Sequence, residues 1–258
     1  MCLEVKPAPF RFGVECRVIW LVFILIIPAR SALAYRPFDS TDADVAGQGE
    51  FELELGPIGS LREGQNKSWV APAVVANFGL HGERELVLQG QRQSLREGAP
   101  ETPSTSLVNT GVFIKQVLRK GVLQGEPGLS IATEYGVLLP ELHGANGTGL
   151  SLAGIVSQRW PAATVHLNTV FELNRELRPD VFLGAIVEGP YDWPVRPVME
   201  LFTEQASGSP RVVSRLIGMI WRSKEHLSFD IGIRSAASGD QHINELRVGL
   251  TWGFALGK

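Results

Sequence analysis

The sequence predicts an all-β fold: an antiparallel transmembrane β-barrel of about twelve strands after a cleaved signal peptide. Three observations predict it: a secretory leader, many segments in which apolar and polar residues alternate, and no apolar helix of spanning length after the leader. Strict alternation is typical of a strand with one apolar and one polar face. Such strands can cross a bilayer if the sheet closes, because every backbone hydrogen-bonding group is then satisfied.

The chain opens with the three parts of a signal peptide. Basic residues precede an apolar run over residues 18–29, and Ala32 and Ala34 fit a cleavage site of the A-x-A type. The run is shorter than the roughly 20 residues that a spanning helix needs. We expect cleavage after Ala34 and a mature chain from Tyr35, with an uncleaved anchor as the alternative that Arg30 leaves open.

Cysteine content and net charge exclude two classes of interaction. Both cysteines, Cys2 and Cys16, lie in the leader, so the mature chain forms no disulfide. The whole chain has a net charge of -3, which becomes more negative when the leader is removed. We therefore expect no nucleic-acid partner, since such a partner requires a concentrated basic face.

Alternation after the leader predicts the strands in order. The clearest strands cover residues 50–55, 85–91, 165–174, 227–234 and 246–254. Weaker patterns predict strands over residues 69–80, 107–118, 129–139, 149–158, 181–188, 195–204 and 212–221. The total is even, as in single-chain bacterial barrels. The register of the segment 212–221 stays open, and Pro72 and Pro197 are expected to mark bulges or strand ends.

The connections between these strands mostly alternate in length, as they do in outer-membrane barrels. Two exceptions are the segment 119–127, which is long for a turn, and the segment 176–180, which is short for a loop. Longer segments rich in turn-forming residues predict outer loops at 59–67, 96–106, 140–148 and 235–241. Shorter segments predict periplasmic turns at 81–83, 159–163, 189–194 and 222–225.

A soluble secreted barrel has the same alternation but points its apolar face into a dry core. The polar faces favour a membrane barrel, because they combine charged residues with many glycines, asparagines and serines and few lysines. Such a face suits a water-filled lumen. The candidate lumen and selectivity residues are Glu52, Glu54, Glu85, Glu172, Glu188, Arg234 and Arg247. The glutamates would attract cations, and the two arginines would add a field of opposite sign.

The last strand carries Leu246, Val248, Leu250, Trp252 and Phe254 on one face. This pattern resembles the C-terminal signal by which the barrel-assembly machinery recognises its substrates, although four residues follow the last aromatic. The expected partners are therefore outer-membrane lipid, this machinery and small solutes.

The start of the mature chain adds a family resemblance. Arg36-Pro37-Phe38, an acidic turn, a glycine-rich stretch and the strand Glu50–Leu55 follow one another. This order resembles the opening of the putative outer-membrane transporters of the MetA-pathway of phenol degradation family. The specific part covers about twenty residues, and the resemblance implies an outer-membrane channel for small organic molecules.

No motif for catalysis or for a metal appears in the sequence. The five histidines lack chelating spacing, and no Gly-x-Ser-x-Gly elbow is present. We expect no enzyme activity, no metal and no cofactor. The predicted organisation is a signal peptide (1–34), a periplasmic segment (35–47) and an outer-membrane barrel (48–258). The predicted function is a passive pore for small solutes; the alternatives are a non-conducting structural barrel and a soluble barrel that binds a ligand.

Overall fold

The computed structural model describes residues 37–63, 66–97 and 105–256. Twelve strands follow one another, each antiparallel to its neighbours. They are β1 (Glu50–Glu63), β2 (Asn66–Leu80), β3 (Arg84–Glu97), β4 (Thr105–Arg119), β5 (Ser130–Leu138), β6 (Gly149–Arg159), β7 (Thr164–Leu173), β8 (Pro179–Glu188), β9 (Val195–Ala206), β10 (Val212–Lys224), β11 (Leu227–Ser238) and β12 (Gln241–Ala255). Since β1 also pairs with β12, the sheet is a closed barrel, and the predicted fold class is confirmed. The predicted signal peptide lies outside the described residues.

Large apolar side chains cover the outside of the barrel. Ile217 and Ile233 are each 65% exposed, whereas Glu200, on the inward face of β9, is fully buried. The same division runs along β12, where Trp252 points outward and Thr251 inward. An exposed apolar belt around a polar interior is the arrangement of an outer-membrane barrel. It contradicts the alternative of a soluble barrel, which would bury these side chains together. No helix in the described ranges is long and apolar enough to span a membrane.

Strand β10 settles the register that its sequence left open. Leu216 and Ile220 point inward and are buried, whereas Val213, Ile217 and Met219 point outward and are exposed. Leu216 is fully buried and Ile220 is 5% exposed, so protein groups surround these two inward side chains. The inner apolar residues thus mark a place where the lumen is filled.

Both prolines lie where the hydrogen-bond ladder is interrupted. The β2–β3 register shifts between Val70 and Ala73, so Pro72 lies in a bulge. On β9, Pro197 lies next to Val198, where the β8–β9 pairing ends, although it stays paired with Met219 of β10. The expectation of bulges or strand ends is confirmed, and it follows from the missing N–H of proline.

Several strands extend further than the alternation indicated. The predicted loop 59–67 is wrong, because β1 and β2 continue through it and pair with each other as far as Glu63 and Asn66. The predicted loop 235–241 is also wrong, because β11 and β12 leave only residues 239–240 between them. Strands that project beyond the hydrocarbon layer need no apolar outer face, so their ends carry no alternation signal. At the opposite end, the β4–β5 connection contains a 3₁₀ turn, Val122–Gln124.

Residues 37–49, here called the inner segment, precede β1, and most of residues 37–46 are buried inside the barrel. Ala43 is fully buried, and Ala46 is 3% exposed. Ala43 packs with Ala132, Ala153 and Ile155 of the barrel wall. The sequence placed residues 35–47 in a periplasmic segment. The side of the membrane stays a prediction, but the described residues contact the inward faces of the strands.

Candidate functional site

The seven predicted lumen residues all project from the inward faces of their strands, but they belong to separate groups. Buried members are Glu52, Glu54, Glu85, Glu188 and Arg247, and partly buried ones are Glu172 and Arg234. Their role in selectivity stays a prediction.

Arg234 and Arg247, here called the arginine pair, form ion pairs with the carboxylates of Asp39 and Glu245. Arg247 Nη1 lies 2.9 Å from Asp39 Oδ2, and Arg247 Nη2 lies 2.8 Å from Glu245 Oε2. Arg234 Nη1 lies 3.3 Å from the same Glu245 oxygen. Arg247 Nη1 also donates to the carbonyl oxygen of Pro37. The pair therefore fastens the beginning of the inner segment to β11 and β12.

The backbone of the inner segment is hydrogen-bonded to side chains around the wall. Glu200 on β9 accepts the N–H groups of Asp39 (3.0 Å) and Ser40 (2.7 Å). Asn168 on β7 accepts the Thr41 N–H and donates to the Thr41 carbonyl. Buried backbone groups require such partners, because an unsatisfied one costs about 1–3 kcal/mol. The polar inner face thus does for this segment what a neighbouring strand does in a sheet.

The remainder of the inner segment is bound by β6, the 3₁₀ turn and β3. Ser157 Oγ accepts the Ala43 N–H, and Gln124 Nε2 donates to the Ala43 carbonyl. Glu85 accepts the Ala46 N–H at 2.7 Å. The segment therefore crosses the interior from β12 to β3 and narrows the lumen.

Close approach of this backbone depends on glycine at two inward positions. A Cβ on Gly79 would collide with the carbonyl oxygens of Ala46 and Gly47. A Cβ on Gly184 would collide with the hydroxyl of Ser40. These glycines leave room for the inner segment where its chain passes next to β2 and β8.

An acidic wall is formed by Glu52, Glu54, Glu85 and Glu134, the inward carboxylates of β1, β3 and β5. Lys115 on β4 is the nearest cation, with Nζ 3.2 Å from Asp42 Oδ1 and 3.5 Å from Glu85 Oε1. Glu54 accepts a hydrogen bond from the Asn77 amide at 3.0 Å.

A cavity of about 210 Å³ lies between the acidic wall and the inner segment. Its lining combines carboxylates with apolar groups such as Phe38, Val75 and Val87. Asp44 also borders it. Burial raises the pKa of Asp44 to about 7, and the neighbouring Asp42 carboxylate acts in the same direction.

A basic cluster lies at the barrel end where β1 begins. The ring of Tyr191, in the β8–β9 turn, faces the guanidinium groups of Arg159, Arg196 and Arg222 at 3.8, 5.5 and 5.0 Å. Arg196 Nη1 lies 3.3 Å from Glu188 Oε2. Glu188, one of the predicted lumen residues, therefore forms an ion pair in this basic cluster and does not belong to the acidic wall.

A serine and a histidine meet on neighbouring strands without the setting of a catalytic pair. Ser157 Oγ lies 2.7 Å from His166 Nδ1, but both side chains are buried under the inner segment. The Ser157 hydroxyl oxygen also accepts the Ala43 N–H, so the contact holds the segment. No group of three potential metal ligands occurs among the residues that the structure describes.

Sequence reasoning missed several inward charges, namely Lys115, Arg196, Glu200, Asp230 and Glu245. Glu245 could have been found by extending the alternation of the last strand by one residue. Glu200 follows the same rule on β9, where Met199 and Leu201 point outward. The contacts of Lys115 and Glu200 with the inner segment had no local signal.

Two solved outer-membrane channels have a similar architecture. The COG4313 outer membrane channel from Pseudomonas putida F1 matches 84% of this chain and 100% of its own, with a TM-score of 0.55 and 11% identity. The KdgM porin matches 80% of this chain and 99% of its own, with a TM-score of 0.50 and 10% identity. At such identities the likeness shows the fold alone. The fold is that of a porin-like outer-membrane β-barrel.

No protein-family model matches the sequence, and no curated protein matches it either. The resemblance to the MetA-pathway of phenol degradation family is therefore not confirmed.

Proposed function

We propose that the protein is a passive outer-membrane pore for small solutes, organic molecules among them, that works without a cofactor or an energy source. The observation that carries this proposal is the polar interior with its cavity of about 210 Å³, enclosed by an apolar outer belt. Diffusion through a barrel needs a hydrated interior and a lipid-compatible exterior, and the chain supplies both. The resemblance of residues 36–55 to phenol-pathway transporters supports organic solutes.

The inner segment limits the size of what could pass. It crosses the lumen between Asp39 and Ala46 and is bonded to wall residues as far apart as Glu85 and Arg247. A twelve-stranded barrel is intermediate in width, so a segment across it leaves a narrow path. We therefore expect a small single-channel conductance.

Location and assembly complete the proposal. The mature chain begins at Tyr35 after export, and the barrel lies in the outer membrane with residues 35–47 entering from the periplasmic end. Trp252 and Phe254 on the outer face of β12 present the signal to the assembly machinery. Sequencing the N-terminus of the protein from outer-membrane fractions tests the cleavage site.

Planar-bilayer recording of the purified full barrel tests the pore. Folded protein, identified by its altered gel mobility before heating, should produce discrete current steps. The alternative is a non-conducting structural barrel, which the hydrogen bonds across the interior favour. A folded preparation without steps at any voltage would reject the pore and support that alternative.

A further inference from the structure

One carboxylate of the acidic wall faces the cavity without a partner. Glu52 is 5% exposed and lines the cavity. Within the described part of the chain, it forms neither a hydrogen bond nor an ion pair. A buried ionised carboxylate without a partner is costly, so its position favours a cationic ligand.

The charges around the cavity are unbalanced. Among the described residues that line it, seven carry carboxylate side chains and only Lys115 carries a cationic one. Lys115 is already bound by Asp42 and Glu85, and Asp39 is bound by Arg247. A positive charge that enters the cavity would therefore meet Glu52, which no cation of the described residues contacts.

The other lining residues favour an organic cation over a metal ion. Phe38, Val75, Val87, Val170 and Phe182 give part of the cavity an apolar surface. The described histidines and carboxylates form no group of three that could hold a metal ion. Drug-sized ligands occupy roughly 300–1,000 Å³, so this cavity of about 210 Å³ suits a smaller molecule.

We propose that this cavity binds a small organic cation, with its ammonium group at Glu52 and its apolar body against Val75, Val87 and Phe38. The inference deepens the proposed function, on which it rests only for the passage of the solute. Binding itself requires no membrane.

Benzylammonium is a suitable probe, and benzyl alcohol and benzoate are its neutral and anionic counterparts. Calorimetric titration of the folded full-length barrel in detergent should show saturable binding of benzylammonium, at least about tenfold tighter than either counterpart. Glu52→Gln should weaken that binding about tenfold or more. Glu204→Gln, which changes a carboxylate on the inward face of β9 that does not line the cavity, should leave it unchanged.

The outcomes separate this inference from the proposed pore. Absence of binding, equal binding of all three probes, or an unchanged affinity in folded Glu52→Gln would overturn the cation site. Selective binding by a barrel that conducts no current would support the site and reject the pore. Current steps without selective binding would support the pore and reject the cation site.

Discussion

The two sides of the barrel interior treat charge differently. On the β9–β12 side, the arginine pair lies against Asp39 and Glu245, within 2.8–3.7 Å. On the β1–β5 side, Lys115 is the one cation of the described residues that lines the cavity beside the acidic wall. Matched charges on the first side fasten the inner segment, whereas the surplus on the second side stays available to a solute.

Removing Lys115 should have the largest effect. Lys115→Met leaves Asp42 and Glu85 without their cation, and loss of one partner from a buried pair costs about 3–5 kcal/mol. Urea unfolding of the barrel refolded in detergent measures this loss. Arg84→Gln, at an exposed position of β3, serves as the control with little change. A Lys115→Met barrel as stable as wild type would show that the acidic wall does not depend on this ammonium group.

Removing Arg247 should cost less, about 2–3 kcal/mol, because Arg234 still contacts both of its carboxylates. The inner segment should be loosened more than the barrel as a whole. Hydrogen exchange of the Asp39 and Ser40 amides should become faster in Arg247→Gln while exchange in the strands is retained. The double variant with Arg234→Gln should lose more than both single variants together. Simple additivity would contradict shared binding of Asp39 and Glu245.

Glycine at position 184 tests whether the inner segment must pass close to the wall. Gly184→Val places side-chain atoms where the Ser40 hydroxyl lies, so it should displace this part of the segment and cost about 1–3 kcal/mol. Gly154→Val is the matched control, since a Cβ there meets no atom within 4 Å. Equal stability of the two variants would reject the close approach.

The acidic wall should set ion preference if the barrel conducts. Glu52→Gln combined with Glu54→Gln should lower the preference for cations, because two carboxylates leave the lumen. Reversal potentials in a salt gradient measure the preference. Identical potentials for this variant and wild type would remove these residues from the conducting path.

Asp44 should change stability in a pH-dependent way, and only above acidic pH. Its pKa is raised to about 7 in the folded state from an ordinary value of 3.8, so the folded protein binds more protons than the unfolded chain between these values. Stability is therefore lost as the pH rises through that window. Asp44→Asn should gain stability relative to wild type between pH 4 and pH 7, with no further gain above. Parallel pH curves for the two proteins would show that Asp44 is not buried in this way.

Alternation predicted the barrel well because each strand between lipid and lumen must present one face to each. It failed where that condition ends, at the projecting strand ends around Glu63 and Ser238. It was ambiguous for β10, where Leu216 packs inside. The inner segment escaped prediction for another reason. Asp39 and Arg247 are separated by 208 positions, and no local pattern records such a contact.

The same separation ties the inner segment to the order of folding. The Asp39 carboxylate gains its arginine partner only when β12, the last strand, is in place. The Asp39 amide is bonded to Glu200 on β9, so its slow exchange would report docking of the inner segment. A pulse-labelling experiment that compares this proton with the amides of the β1–β12 pairing would therefore show whether docking precedes ring closure.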